Sequence, residues 1–315
     1  MSAKRVGVYS FCAFLMLALV LLPSTMSLAD EGVKQRGGYE GESESLLAAE
    51  EIQEEMDHEI EAYVRYMPSS DAKNQSGEVE IINSGFGYTY GFTAFGKVPM
   101  KFLIDKQYIS IENSTGLKLP AHLVSLSTGL EATFPFFGVD KTYLRVGVYP
   151  GFHGDDWSFP SSSFRIPSRV FAIYKPNDKW IFILGVAALP DYETEAFPIL
   201  GLIYKPNEKF TLDLMPLRPM ASYALNDKVT LFAEGAWIAG GGEFEVDKGY
   251  QKNVVLKYRE TRLGAGVKYK FNKYIESSIS AGGAFDRSLK YRNRNLGKVR
   301  IESGPYMEFR VDIKI

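Results

Sequence analysis

Three histidines are all the chain has: His58, His122 and His153. His153 stands in "GFHGDDW", where Asp155 and Asp156 follow it. An imidazole beside two carboxylates is the donor set of a metal site or of a His-carboxylate pair for general-base work. The same stretch also reads as a polar external loop. No Gly-x-Ser-x-Gly elbow, His-Glu-x-x-His helix or phosphate loop occurs. The chain therefore offers no catalytic residue, metal set or cofactor site, and we expect it not to be an enzyme.

Other charges recur with a period of two. In "MEFRVDIKI" Met307, Phe309, Val311, Ile313 and Ile315 alternate with Glu308, Arg310, Asp312 and Lys314. A strand of this kind buries one face in apolar surroundings and gives the other to charge. "RLGAGVKYKF" and "KTYLRVGVY" alternate likewise. If the sheet closes into a membrane barrel, the charges that face its lumen are Arg145, Asp213, Glu234, Lys268, Glu276, Glu308, Arg310, Asp312 and Lys314. Charges of both signs could line a watery pore or pair into a salt-bridged plug.

The elements that carry these residues are punctuated by a repeated turn. "YKPNDKW" at 174–180 returns as "YKPNEKF" at 204–210, each breaking two apolar runs. Proline fixes φ, and asparagine tolerates the angles that follow, so each copy is a hairpin tip. Echoes stand at Asn226 and Asn272, and a tight turn is expected at Gly138. Long polar connections such as "YPGFHGDDWSFPSSSFR" alternate with these short turns, as in outer-membrane barrels. Tyr174, Trp180, Tyr204, Phe210, Tyr223, Tyr269, Phe271 and Tyr274 flank the short turns, where an interfacial aromatic girdle belongs.

Counting runs between turns gives about 12 strands over 78–315, within a range of 10 to 14. The pair around "MPLRPMASY" is shorter than the roughly 9 to 11 residues a membrane strand needs. Residues 30–77 read differently: Ile52, Met56, Ile60, Val64 and Met67 recur at helical spacing in an acidic stretch, so a periplasmic amphipathic helix with a polar linker is expected there. Before it, Lys4 and Arg5, an apolar run and Ser27-Leu28-Ala29 make a secretory signal peptide over 1–29.

Composition agrees with export and with β structure. The one cysteine, Cys12, lies inside that leader, so the mature chain has none for a disulfide. Tyrosine (19), phenylalanine (21) and glycine (29) are abundant, as in a turn-rich β protein. A formal charge of -2 over 315 residues argues against nucleic acid as a partner.

From about Val146 to Val246 the chain resembles a family of bacterial outer-membrane β-barrels catalogued as a domain of unknown function. The matching stretches are "VGVYPGFHGDD", "FPILGLIYKPNEKFTLDLMPLRPMASYAL" and "LFAEGAWIAGGGEFEV", with Pro150, Gly151 and Asp155, Pro198 and Gly201, and Pro216 and Pro219 as their fixed points. The resemblance implies a porin-like barrel in the outer membrane of a Gram-negative bacterium, and no established activity.

The fold expected is all-β, a closed antiparallel transmembrane barrel with an N-terminal helical segment. Its partners would be outer-membrane lipid and the outer-membrane assembly machinery. Its work would be passive passage or binding of a small solute, or a part in envelope structure. Two alternatives stay open: an outer-membrane enzyme acting on lipid or lipopolysaccharide through His153, and a soluble secreted β protein that binds a ligand.

Overall fold

The structure is a computed structural model that describes residues 58–95, 98–136, 138–189, 195–238, 243–246 and 254–315. The expected leader and the segment up to residue 57 lie outside these residues. Fourteen antiparallel strands close into one barrel. The first four are β1 (His58–Asp71), β2 (Glu78–Ala94), β3 (Val98–Asn113) and β4 (His122–Pro135). Then come β5 (Thr142–Val148, continued by Gly151–Gly154), β6 (Phe164–Arg165 and Ser168–Asn177), β7 (Trp180–Ala188) and β8 (Ala196–Asn207). Two short strands follow, β9 (Phe210–Asp213) and β10 (Met220–Ala224), before β11 (Val229–Ile238). The last are β12 (Val254–Lys270), β13 (Ile275–Tyr291) and β14 (Lys298–Arg300 and Gly304–Lys314). Each pairs with the next, and β14 pairs with β1 from Glu59 opposite Lys314 to Tyr66 opposite Met307. This pairing closes the barrel, the arrangement that satisfies backbone groups in lipid.

The expected count of 12 is corrected by this topology. One strand was missed because 78–113 holds a whole hairpin, turning at Phe95 with φ 51. The other is β1, which overturns the helical reading of residues 58–67 and takes in residues 68–71 of the expected linker. Ile60 and Val64 are four apart, a spacing common to a helix turn and to two strand periods. The charges decide between them, since Glu59, Glu61 and Arg65 all fall on the odd positions that face inward. Among the described residues the only helical elements are two single 3₁₀ turns, Ser161–Ser163 and Arg294–Leu296.

The short turns lie at the end of the barrel that holds residue 58 and the C-terminus, here the terminal end. In four of them an asparagine side chain, rather than an unusual backbone angle, closes the turn. Asn177 Oδ1 accepts from Lys179 N at 2.9 Å, and Asn207 Oδ1 from Lys209 N at 3.0 Å. Asn226 does the same for Lys228 and Val229, and Asn272 for Tyr274 and Ile275. Gly138, at φ 83, supplies the left-handed residue of the turn after β4.

One flank of the wall is low. β9 and β10 have 4 and 5 residues, against 12 in β8 and 10 in β11. The connection between them stays beside the wall: Leu214 N donates to Leu202 O, and Trp237 N to Leu217 O. Beyond Leu202 the edge of β8 continues without a ladder partner. Pro198 shares the parity of Leu202, so its missing N–H falls on that open edge.

Candidate functional site

Alternation sorts the wall into two faces. Inside, β1 and β14 set Arg65 opposite Glu308, Tyr63 opposite Arg310 and Glu61 opposite Asp312. Arg65 and Glu308 are buried and paired, Nε to Oε2 at 2.6 Å and Nη2 to Oε2 at 2.5 Å. Arg310 bridges onward, with Nη2 2.7 Å from Glu308 Oε1 and Nη1 2.8 Å from Glu61 Oε1. From the β9–β10 connection, Arg218 donates through Nε (3.0 Å) and Nη2 (2.6 Å) to Glu234 Oε2 on β11. The same Nη2 lies 3.9 Å from Glu308 Oε1, so a residue that leaves the low flank reaches the far wall. Ser280 Oγ closes the set on Glu234 Oε1 at 3.1 Å. The result is a lattice of alternating sign across the lumen.

Of the other inward candidates, Arg145 donates Nε to Thr133 Oγ1 at 3.1 Å, and Asp213 accepts from Met215 N at 2.9 Å. Lys268 pairs with Glu276 at 3.1 Å near the terminal end, where Lys314 stands 4.0 Å from Glu59. Sequence reasoning missed Glu61, Arg65, Arg218, Glu260 and Arg262. The alternation of "RLGAGVKYKF" includes Arg262 and, carried backward, reaches Glu260, which pairs with it at 3.0 Å, and Tyr258, which hydrogen-bonds Glu260. Arg218 sits in an irregular connection, where no period exists to find it.

His153 stands on the inner face of β5, not in an external loop. Its Nδ1 is 2.8 Å from Ser125 Oγ on β4, and its ring meets Phe244 edge-on at 6.4 Å. Asp156 belongs to the connection beyond, where Oδ1 accepts from Ser158 Oγ and N at 2.5 and 2.9 Å. Those two bonds, side chain before backbone, hold the Asp156 carboxyl below its ordinary value. Among the described residues no group of three or more histidine, cysteine or acidic side chains could hold a metal ion.

The far end of the lumen is filled. A short strand between β11 and β12, Glu243–Val246, pairs with β12 and touches β5 where Glu245 meets Gly154. It bridges two walls that are not neighbours. Phe244 and Val246 pack into an apolar cluster with Met67, Ile81, Leu123 and Leu256. Ser162 Oγ donates to Glu245 Oε1 at 2.5 Å and ties the crossing strand to the β5–β6 connection. A second apolar cluster lines the inner face of β6 to β8, with Phe171, Ile173, Ile183 and Ile199 packed around Met215.

Outside, the alternate residues form an apolar belt in which Leu184 (60%), Leu200 (66%), Leu263 (60%) and Met307 (54%) stay exposed. A closed barrel with this belt and a charged interior is a membrane-spanning one. The aromatic candidates gather at the terminal end. Trp180 stacks on Tyr204 at 4.1 Å, Phe210 is opposite Tyr223, and Tyr269 meets Phe271 at 4.9 Å. Tyr174 and Tyr274 are exposed beside them.

Solved structures similar to this chain include a TodX deletion mutant, a monoaromatic hydrocarbon channel, at 10% identity and TM-score 0.49, covering 82% of this chain and 89% of that one. An outer membrane channel from Pseudomonas putida F1 is 10% identical at TM-score 0.44, covering 82% and 96%. The KdgM porin is 9% identical at TM-score 0.34, covering 80% and 98%. No curated protein sequence matches the chain. The profile of one family matches residues 142–311, from β5 into β14 and more than half of the 315 residues. The chain belongs to that family, described as the domain of unknown function DUF6268.

Proposed function

We propose that this protein is an outer-membrane barrel through which a small solute passes passively, without catalysis. The observation that carries the reading is the charge lattice joining Arg65, Glu308, Arg310, Glu61, Arg218 and Glu234 across the lumen. Buried ion pairs contribute little to stability compared with apolar packing of equal volume. A lumen kept polar by them suits water and a polar solute group better than it suits a structural core. The crossing strand with Phe244 and Val246 is then the constriction of the path.

Planar-bilayer recording on the full chain tests this. Brief, low-conductance openings are expected from the native protein, and longer or larger ones from a Phe244→Ala, Val246→Ala variant. Silence from both, with the barrel folded in the membrane, overturns the passage reading. Envelope fractionation tests the location: the folded protein is expected with the outer membrane, and recovery in the soluble fraction would end that reading.

A further inference from the structure

Three neighbouring strands carry an unusual outward face at their far ends. Lys257 on β12 is directly opposite Lys290 on β13, and Lys290 is directly opposite Lys298 on β14. Two residues lower, Arg259 and Arg300 both flank Ser288. The residues of opposite parity, Leu256, Tyr258, Leu289 and Val299, are buried in the lumen cluster, so the cations face out. Arg292 follows on the rim and is exposed. Neighbouring strands are about 5 Å apart, and like charges directly across a ladder destabilise a sheet. Three lysines in one row therefore repel one another at a cost to the fold.

The acids of this sector are few. Asp286 pairs with Arg259 at 2.7 Å, Glu243 is opposite Lys257 in register, and Glu302 follows β14's first piece. An acidic pair, Glu80 opposite Glu112, lies beyond β1 on β2 and β3. Burial first, then Arg292 and Lys290, lowers the Lys257 ammonium to about 8, and Lys298 is lowered for the same kinds of reason. An anion seated between them would offset the repulsion among these cations.

The height of the rows says which anion. Toward the terminal end the same outward face turns apolar through Leu263 and Val267 on β12, Phe285 and Ile279 on β13, and Met307 on β14. The cations thus stand at the first step out of the hydrocarbon, at the level of the headgroups. On the reading above, this rim faces the outer leaflet. We propose that the outward face of β12, β13 and β14, through Lys257, Lys290, Lys298 and Arg300, binds the phosphate groups of a phosphorylated glycolipid of that leaflet. The inference rests on the outer-membrane location.

The test uses the full chain folded in lipid-free detergent, titrated with lipopolysaccharide, with the same lipid after phosphatase treatment, and with inorganic phosphate, while native mass spectrometry counts bound lipid. The expected result is one or more retained phosphorylated lipids and roughly hundredfold weaker retention by the Lys257→Gln, Lys290→Gln, Lys298→Gln variant. A Lys→Arg triple should retain lipid, and single Lys290→Gln serves if the triple neutral variant fails to fold. Equal retention of the dephosphorylated lipid, or undiminished binding by the neutral variants, overturns the proposal. So does protection by inorganic phosphate alone, or a lipid-independent dimer that the neutral variants lose. Failure here in a folded barrel found in the outer membrane leaves the passage reading standing.

Discussion

Glu308 is surrounded by three guanidinium groups, Arg65 at 2.5 Å, Arg310 at 2.7 Å and Arg218 at 3.9 Å. Removing its charge leaves buried cations without their common partner, a change that typically costs about 3 kcal/mol or more. Glu308→Gln should lower the unfolding free energy of the detergent-folded protein, read from urea titration, by that amount. The Arg65→Met, Glu308→Leu double variant should lose less than the sum of its single changes, because it removes the pair rather than orphaning one member. Glu308 and Arg310 can be picked out of "MEFRVDIKI" because every second residue there is charged. Arg65 cannot be picked out of "EIEAYVRYM" so simply, because Ile60 and Val64 satisfy a helix as well as a strand. His153 shows the opposite difficulty: two following aspartates suggest a loop site, yet Gly151 opposite Ser127 continues β5 and turns the imidazole inward.

At the scale of the element, β13 carries one extra residue. The β12–β13 ladder shifts register between Arg259 and Thr261, opposite Asp286, which adopts φ 48. Below the shift the inward residues are even, ending at Ala284, and above it they are odd: Arg287, Leu289 and Tyr291. The bulge takes up this one extra residue, so the side chains beyond it keep to the inner face although their numbering changes parity. Deleting Asp286 should bring Arg287 opposite Glu260 in a regular ladder, with Leu289 and Tyr291 still inward, and should keep the fast-migrating unboiled band on a gel. Asp286→Gly should keep that band, with stability within about 1 kcal/mol of native, since glycine adopts the same angle without strain. The hairpin tips were legible in sequence because each asparagine acts locally on the next two or three amides. The bulge was not, because its partner lies on another strand.

For the whole molecule the decisive contact is the pairing of β1 with β14, which joins the two ends of the described chain. A variant lacking residues 58–71 should run identically boiled and unboiled and be degraded by added protease, whereas the native barrel should resist and migrate faster unboiled. The alternation of short and long connections made closure and an even count readable, because it fixes both ends of the sheet on one side. The number itself depended on β1 and on a hairpin whose tip carries no proline or asparagine signal. The low flank at β9 and β10 has a consequence for the membrane rather than for the protein. Four or five residues at about 3.3 Å each, tilted by about 40°, rise to little more than a third of a hydrocarbon core about 30 Å thick. Lipids beside Leu200 and Leu214 therefore meet a shorter ladder than lipids beside the tall wall of β12 and β13, and a bilayer that adapts to it should be thinner on that side. The annulus around this barrel is lopsided, and crowding in the plane of the membrane will sort short-chain lipid, or a neighbour with a matching thin flank, to the β8–β11 side.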